Sequence, residues 1–182
     1  VYPVDFICVA ERSGLIVTIT KQLFVRVKNE LLEIAPHLPD GFKVGFNISA
    51  THLGAHDLVQ DCVDFIGSFK PGSIVMMLEI TEQEPLLLNG AVVDKLNTLH
   101  SRGFSIALDN FGTGYSGLSC LHELVFDYIK IDQSFVGRVT DEAPSSKLLD
   151  CVIEMARTLS LRIIAEGVET QAQLEYLNRQ NI

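Results

Sequence analysis

Five polar side chains could bind a hard metal ion or handle a phosphate, and each stands at the end of a short apolar run. They are Asn47, Glu79, Asp109, Lys130 and Glu166. The runs alternate with helical patterns, which indicates an α/β fold with a parallel sheet. Because the carboxyl ends of parallel strands meet at one edge of a sheet, we expect these side chains to share one site. This holds for a (β/α) barrel and for an open doubly wound sheet, which the alternation alone does not distinguish.

The donor atoms of this set indicate which metal it could bind. Oxygen is the donor atom at four of the five positions, and His and Cys are absent from the strand ends, which suits Mg²⁺, Mn²⁺ or Ca²⁺ and not structural zinc. Carboxylates gathered at one edge would repel each other without a cation between them. Two ions about 4 Å apart can activate a water and stabilise the leaving oxygen of a phosphodiester. Lys130 adds a positive group for that water or for the phosphoryl oxygens.

Each of these residues also has a purely structural interpretation. A single Asp or Glu at a strand end can cap the next helix. Asn47 can form a turn with Ser49, and Lys130 can pair with Asp132 or with a neighbouring carboxylate. The repetition of polar residues at five strand ends is what favours a shared site.

Two glycine-containing loops follow candidate residues. Residues 112–114 read Gly-Thr-Gly soon after Asp109, and Gly167 follows Glu166. These loops could approach a phosphate, although they lack the lysine of a Walker loop and the spacing of a dinucleotide fingerprint. They could equally be tight turns that need a positive φ.

Periodic apolar residues predict the elements that position these side chains. Amphipathic helices are predicted over residues 16–34, 92–99 and 148–159, the third after start signals at Pro144 and Ser145. A capping box of Thr170 and Gln173 opens a fourth helix, with Leu174 and Leu177 on its apolar face. Strands are predicted at 43–49, 74–81, 104–109, 128–132 and 161–166. The second run is almost continuously hydrophobic, as expected for a strand buried on both faces.

The composition argues against two classes of protein. The chain has 14 Lys and Arg against 23 Asp and Glu, a net charge of −9, whereas direct DNA binding draws its affinity from a basic face. No apolar run reaches the roughly 20 residues that a membrane-spanning helix needs. The cysteine pattern, with neither a zinc site nor a disulfide framework, favours a cytoplasmic domain.

Cysteine and histidine spacing predicts no further metal site. The cysteines form no Cys-x-x-Cys pair and are predicted to be reduced thiols in the core; they are Cys8, Cys62, Cys120 and Cys151. The histidines have no triad or ligand spacing and are predicted to lie on the surface or to be hydrogen-bonded; they are His37, His52, His56, His100 and His122.

Six segments, taken in order, resemble the EAL domain family. They are Phe-Ile-x-x-Ala-Glu-x-x-Gly-Leu-Ile from Phe6 to Ile16, Asn-Ile-Ser from Asn47, Glu-Ile-Thr-Glu from Glu79, Asp-Asn-Phe-Gly-Thr-Gly-Tyr-Ser from Asp109, Lys-Ile-Asp from Lys130 and Ala-Glu-Gly-Val-Glu from Ala165. The resemblance covers essentially all of residues 1–182. It implies a TIM-type (β/α)8 barrel with one antiparallel strand, often dimeric, that hydrolyses cyclic di-GMP to linear pGpG with two Mg²⁺ or Mn²⁺ ions.

The same resemblance implies a role for each matched residue. Asn47, Glu79 and Asp109 correspond to metal ligands. Lys130 corresponds to the lysine that holds a catalytic water, and Glu166 to a glutamate proposed as general base or second-metal ligand. Glu82 and Glu169 correspond to residues that support the glycine loop after the Asp pair. Asp132 is expected to belong to the same network as Lys130.

Three departures from the family pattern limit what the resemblance implies. The Glu-Ala-Leu segment that names the family is expected upstream of Val1, and the last barrel strand is expected after Ile182. Five of about eight strands are therefore expected here, an incomplete barrel whose edges a partner or further chain would cover. The family's Asp-Asp pair reads Asp109-Asn110, which keeps an amide oxygen as a ligand for the second metal but removes a charge.

Two functional hypotheses follow from these residues. The first is that a longer parent protein, with an upstream sensory domain and a possible anchor in the bacterial inner membrane, uses this domain as a cyclic di-GMP phosphodiesterase. The second is a degenerate EAL module that binds cyclic di-GMP or a protein partner without cleaving it. Asn110 favours the second, and the other matched residues favour the first.

Overall fold

The computed structural model of the protein describes residues 2–81, 90–112, 121, 123–140 and 146–182. Within these residues, no helix is both long enough and apolar enough to cross a membrane. The chain forms two compact units, one from the described residues 2–80 and 90–105 and one from residue 81 and the described residues beyond 105. Each unit is described in turn.

The first unit has two strands and five helices among its described residues. The elements are α1 (Pro3–Arg12), α2 (Leu15–Ile34), β1 (Phe42–Asn47), α3 (Ala50–Gly54), α4 (Leu58–Ile66), β2 (Ile74–Thr81) and α5 (Gly90–Ser101), with a 3₁₀ turn at Ala35–His37. Three aromatic rings form the centre of its core: Phe46 of β1 lies 4.7 Å from Phe24 of α2 and 5.1 Å from Phe65 of α4, measured between ring centroids. Both contacts are edge-to-face, the geometry that aromatic quadrupoles favour.

The second unit has three strands and three helices among its described residues. The elements are β3 (Ser105–Phe111), β4 (Tyr128–Ile131), α6 (Gln133–Val136), α7 (Lys147–Thr158), β5 (Arg162–Ala165) and α8 (Gln171–Arg179). Side chains cap all three helices: Asp132 accepts from the Ser134 N–H at 2.8 Å, and Ser146 and Thr170 cap α7 and α8. The caps satisfy backbone donors that no intrahelical bond can reach, which is why the helices begin there.

In the first unit β1 pairs with β2, and in the second unit β4 lies between β3 and β5. The pairings β1–β2, β3–β4 and β4–β5 are all parallel. The predicted α/β class and parallel sheet are therefore confirmed. The predicted burial of the second strand on both faces is also confirmed, because six of the eight residues of β2 are buried.

Strand β3 differs from its predicted end. It continues past Asp109 to Phe111 and contains a bulge: Leu108 pairs with Ile129 and Phe111 with Ile131, so Asp109 and Asn110 together face Lys130. Asn110 has a φ of 55°, in the left-handed region. Asparagine adopts this conformation more readily than most residues, so the strand absorbs the extra residue without ending.

The predicted helices are confirmed within a residue or two at their ends, with two corrections. Helix α7 begins after Ser146, and its predicted start signals, Pro144 and Ser145, lie outside the described residues. In α8 the capping box is present and Leu177 is buried, but Leu174 is 44% exposed. Leu174 is therefore not on the packed face, which Gln173, Tyr176 and Leu177 form instead.

The prediction that all four cysteines are core thiols is wrong for two of them. Cys8 and Cys151 are exposed free thiols, on helix faces that point away from the core. Cys62 is buried on α4, where burial raises the pKa of its thiol to about 12. Cys120 lies outside the described residues.

His52 contradicts the prediction that every histidine is exposed or hydrogen-bonded. It is fully buried, with its ring 6.2 Å from that of Phe24 on α2, and neither ring nitrogen has a hydrogen bond within the described part of the chain. Its nearest charged neighbour is Asp61, whose carboxylate lies 3.9 Å from Nε2. Asp61 in turn pairs with Lys21 at 3.3 Å. Burial lowers the pKa of His52, and Asp61 offsets this only in part.

We expect the free energy of unfolding to fall as the pH falls below about 6.5, the ordinary pKa of histidine. The folded state holds His52 neutral while the unfolded chain takes up a proton there, so acid favours unfolding, with a slope of at most about 1.4 kcal/mol per pH unit. Denaturant titrations between pH 5 and 8 would measure this slope. His52→Leu should flatten it and His37→Gln, at an exposed histidine, should not; an equal slope in all three proteins would contradict the assignment to His52.

Candidate active site

Asn47 and Glu79 lie side by side at the carboxyl ends of β1 and β2. The two residues are register partners, and the Ile48 N–H donates to the Glu79 carbonyl at 2.9 Å, which extends the pairing past the strand end. Asn47 is exposed, whereas Glu79 is only 9% exposed. The amide and the carboxylate of this pair are both oxygen donors at one edge of the sheet.

Gly45 leaves the space that the Glu79 carboxylate occupies. A Cβ built on Gly45 would lie 3.0 Å from Glu79 Cδ and closer still to Oε1. Any residue other than glycine would therefore displace this carboxylate. The same face of β1 continues from Gly45 to Asn47, as the alternation of side chains along a strand requires.

Lys130 lies between two carboxylates at the carboxyl ends of β3, β4 and β5. Its Nζ is 3.0 Å from Asp109 Oδ1 and 2.7 Å from Glu166 Oε1. The Lys130 and Asp109 side chains are 10% and 8% exposed, and that of Glu166 is 37% exposed. These three residues, which we call the Lys130 cluster, form a largely desolvated ion-pair network with one carboxylate facing solvent. The predicted pairing of Lys130 with a neighbouring carboxylate is confirmed.

The bulge in β3 fixes the orientation of the Asp109 carboxylate. Asp109 Oδ1 accepts from the backbone N–H of Asn110 at 2.9 Å as well as from Lys130. A carboxylate held by two donors has little freedom to rotate. Bulges are common beside active sites because they redirect one side chain without ending the strand. Here the bulge brings both residues of the Asp109-Asn110 pair opposite Lys130.

The glycines after the Lys130 cluster are tight turns that also pack on α6. Gly112 and Gly167 have φ values of +89° and +68°, which confirms the turn interpretation for these two positions. A Cβ on Gly112 would meet the Phe135 ring, 2.9 Å from Cε2, and a Cβ on Gly167 would lie 3.2 Å from Gln133 Cα. Thr113 and Gly114 lie outside the described residues.

The predicted loop supports have varied outcomes. Asp132 caps α6 through the Ser134 N–H. Glu169 is exposed, and its backbone N–H donates to Gln173 Oε1 at 2.7 Å. Glu82 lies outside the described residues. The supporting role assigned to these three residues stays a prediction.

The metal-ligand set also stays a prediction. Within the described residues, no three His, Cys, Asp or Glu side chains lie close enough to hold a metal ion together. The donors that are present are carboxylate and amide oxygens, which is the chemistry that Mg²⁺ or Mn²⁺ requires. Because Gly45 has no side chain, the Glu79 carboxylate can lie over it. This placement is consistent with Glu79 acting as a metal ligand.

Sequence reasoning missed Gly45, Gln133 and Phe135 as residues that shape the site. The pattern of β1 placed Gly45 on the same face as Asn47, which was the available indication that a neighbouring side chain needs its space. Gln133 and Phe135 gave no such indication, because their contacts with the glycine turns depend on the tertiary packing of α6.

A family model for the EAL domain matches residues 1–182. Among curated proteins, the chain is 52% identical over 180 residues to the "Probable cyclic di-GMP phosphodiesterase PdeG" of Escherichia coli (strain K12). That match covers 99% of this chain and 36% of PdeG, so the chain spans about a third of the relative's length.

Solved structures share the same fold. "PaMucR Phosphodiesterase, c-di-GMP complex" is 32% identical, with a TM-score of 0.81, and the match covers 99% of this chain and 78% of that one. "Klebsiella pneumoniae BlrP1 pH 9.0 manganese/cy-diGMP complex" is 28% identical, with a TM-score of 0.64 over 77% of this chain and 36% of that one. The predicted TIM-type barrel class is confirmed by these matches.

Proposed function

Because this chain belongs to the EAL domain family, we propose that the protein containing it is a phosphodiesterase that hydrolyses cyclic di-GMP to linear pGpG. The curated relative is named for this activity and the matched structures contain this ligand. The single observation that carries the proposal is the Lys130 cluster, in which a buried lysine joins the carboxylates of Asp109 and Glu166.

The residues of this chain would divide the chemistry as follows. Lys130 orients a water molecule or a phosphoryl oxygen through an ammonium that is already desolvated, which makes its electrostatic effect larger than in water. Glu166, the more exposed carboxylate, accepts a proton from the attacking water. Asp109 holds Lys130 in position through the other ion pair. The proposed site joins these residues with Asn47 and Glu79, which also stand at carboxyl ends of parallel strands.

Two divalent cations, Mg²⁺ or Mn²⁺, would complete the site. Asn47, Glu79, Asp109, Asn110 and Glu166 are the oxygen donors that would hold them, and the manganese in the matched BlrP1 structure supports this choice. When bound, such ions lower the pKa of water and neutralise the developing charge on a phosphodiester. The cations also explain how a chain with a net charge of −9 binds an anionic substrate.

The partners proposed for the whole protein are cyclic di-GMP, a second copy in a homodimer and an upstream sensory domain. The share of the curated relative that the chain matches leaves room for further domains in that relative. The acidic net charge supports the proposal that this domain does not bind DNA directly.

The alternative is a module that binds cyclic di-GMP without cleaving it, and Asn110 is the observation that favours it. To separate the two, the full-length protein would be mixed with cyclic di-GMP in saturating Mn²⁺, and protein-bound cyclic di-GMP and pGpG formation would both be measured. An enzyme produces pGpG under this condition, whereas the binding module only retains the ligand. Binding without any product would overturn the enzymatic proposal.

We expect Asn110→Asp to lower the Mn²⁺ concentration for half-maximal rate by about tenfold and to raise turnover. The substitution keeps the shape and restores a charge, and hard cations draw affinity from ligand charge. The positive φ at this position is tolerated by aspartate as well as asparagine. Initial rates of pGpG formation against Mn²⁺ concentration measure the effect. If the original protein is already fast at low Mn²⁺ and the variant matches it, Asn110 is not a weakened ligand.

A further inference from the structure

The short helix α6 follows β4, the strand that carries Lys130. It also contacts the turns that follow the other two strands of the cluster, β3 and β5. It begins at Asp132 and Gln133, directly after the strand that carries Lys130. Phe135 lies against Gly112, three residues after Asp109, and Gln133 lies against Gly167, the residue after Glu166. One turn of helix therefore lies next to the chain segments of all three members of the cluster.

These two contacts leave no room for a side chain at either glycine. A Cβ on Gly112 would stand 2.9 Å and 3.4 Å from two Phe135 ring carbons, and closer to a third. On Gly167 it would collide with Gln133 Cβ and come within 3.2 Å of its Cα. Carbon atoms at their preferred separation lie about 3.5–4.0 Å apart. The two glycine backbones thus touch α6 directly, and a shift of α6 has to move them.

The helix is itself held firmly. Asp132 caps it through Ser134, the Gly137 N–H donates to the Gln133 carbonyl at 2.7 Å, and Phe135 is only 7% exposed. On the strand side, the Glu166 N–H donates to the Ile131 carbonyl at 3.0 Å, so the residue after Lys130 also fixes the backbone of Glu166.

We propose that α6 is the positioning element of the Lys130 cluster, and that Phe135 and Gln133 are positioning residues for the bulge of Asp109-Asn110 and for Glu166. The inference rests on the proposed function, since it assigns these residues to the same reaction. Phe135 packs against Gly112 and so fixes the position of the turn at that residue. This turn follows the bulge of β3, and the bulge in turn directs the Asp109 carboxylate towards Lys130. Neither residue touches the reacting atoms, and both act through the backbone of the glycine turns.

The test uses the full-length protein and the variant Phe135→Leu, which keeps an apolar side chain but removes the ring edge beneath Gly112. Residues that hold metal ligands in place contribute about 10–100-fold to metal affinity. We expect Phe135→Leu to weaken Mn²⁺ binding, measured without substrate by electron paramagnetic resonance of the free ion, by about tenfold. The control is Val139→Ala, a truncation at a side chain that is 1% exposed and outside α6. It should lower the unfolding temperature without changing Mn²⁺ affinity.

A double-mutant cycle with Gly112→Ala separates positioning from simple loss of packing. The strain of alanine at a positive φ is the same in both backgrounds and cancels in the cycle. If the contact positions the cluster, Gly112→Ala weakens Mn²⁺ binding less in the Phe135→Leu background than in the original protein. Strictly additive effects, or a Phe135→Leu protein that binds Mn²⁺ like the original, would overturn the inference.

The outcomes also distinguish this inference from the proposed function. If the original protein hydrolyses cyclic di-GMP but Phe135→Leu binds Mn²⁺ as tightly as the original, only the inference about α6 is wrong. If Phe135→Leu weakens Mn²⁺ binding as expected but the original protein forms no pGpG, only the proposed phosphodiesterase activity is wrong. An original protein that binds no Mn²⁺ overturns the inference together with the metal part of the proposed function.

Discussion

Lys130→Met is expected to reduce the rate of cyclic di-GMP hydrolysis by about 10³-fold. Methionine has a similar length and fills the same space, but it leaves Asp109 and Glu166 without the cation that both contact. The two carboxylates then repel each other, and the water or phosphoryl oxygen loses its donor. The rate of pGpG formation at saturating substrate and Mn²⁺ measures the loss.

Two measurements make this result specific. Lys147→Met removes an exposed lysine from the same unit and should leave the rate unchanged. Cyclic di-GMP affinity should change far less than turnover in Lys130→Met, because the lysine acts mainly in the transition state. If Lys130→Met keeps about a tenth or more of the original activity, the Lys130 cluster is only a structural ion-pair network.

Gly45→Ala is expected to reduce turnover by about 100-fold, although it adds a single methyl group. The new Cβ would occupy the space of the Glu79 carboxylate, which has to swing away from the strand edge. A ligand displaced by about 1 Å can cost this much in rate. The Mn²⁺ concentration for half-maximal rate should rise in parallel, and both are read from one metal titration.

Gly54→Ala is the matched control. A Cβ at Gly54 meets nothing within 4 Å, and its φ is not positive, so alanine there introduces neither a clash nor strain. It should leave the rate unchanged and slightly raise stability, since alanine is the better helix residue. Equal rates for Gly45→Ala and Gly54→Ala would show that the position of Glu79 does not matter for the reaction.

Much of the fold follows from local patterns in the sequence. Apolar residues three and four apart predicted α2, α5 and α7, and the pair Thr170 and Gln173 predicted the start of α8, because these patterns reflect the geometry of a single helix. Helix α4 carries the same pattern at Leu58, Cys62 and Phe65 but was not predicted, and its nine residues make a shorter periodic run. Helices α3 and α6 are single turns whose apolar residues cannot establish a period.

Only the site residues that stand at strand ends could be predicted from the sequence. A polar or charged residue at the end of each apolar run placed Asn47, Glu79, Asp109, Lys130 and Glu166 at strand ends. The bulge at Asn110 could not be foreseen, because it depends on the register between β3 and β4. The burial of His52 could not be foreseen either, because its neighbours Phe24 and Asp61 come from other helices, α2 and α4.

The measurement closest to the central claim is product analysis in ¹⁸O-labelled water. The full-length protein would be incubated with cyclic di-GMP and saturating Mn²⁺. The nucleotides would then be separated and their masses measured by mass spectrometry. Attack by water at one phosphodiester bond predicts pGpG with a single labelled oxygen, in its terminal phosphate, formed by the original protein and almost absent with Lys130→Met. Cyclic di-GMP recovered intact and unlabelled from a protein that binds it would contradict the account and leave the chain a binding module.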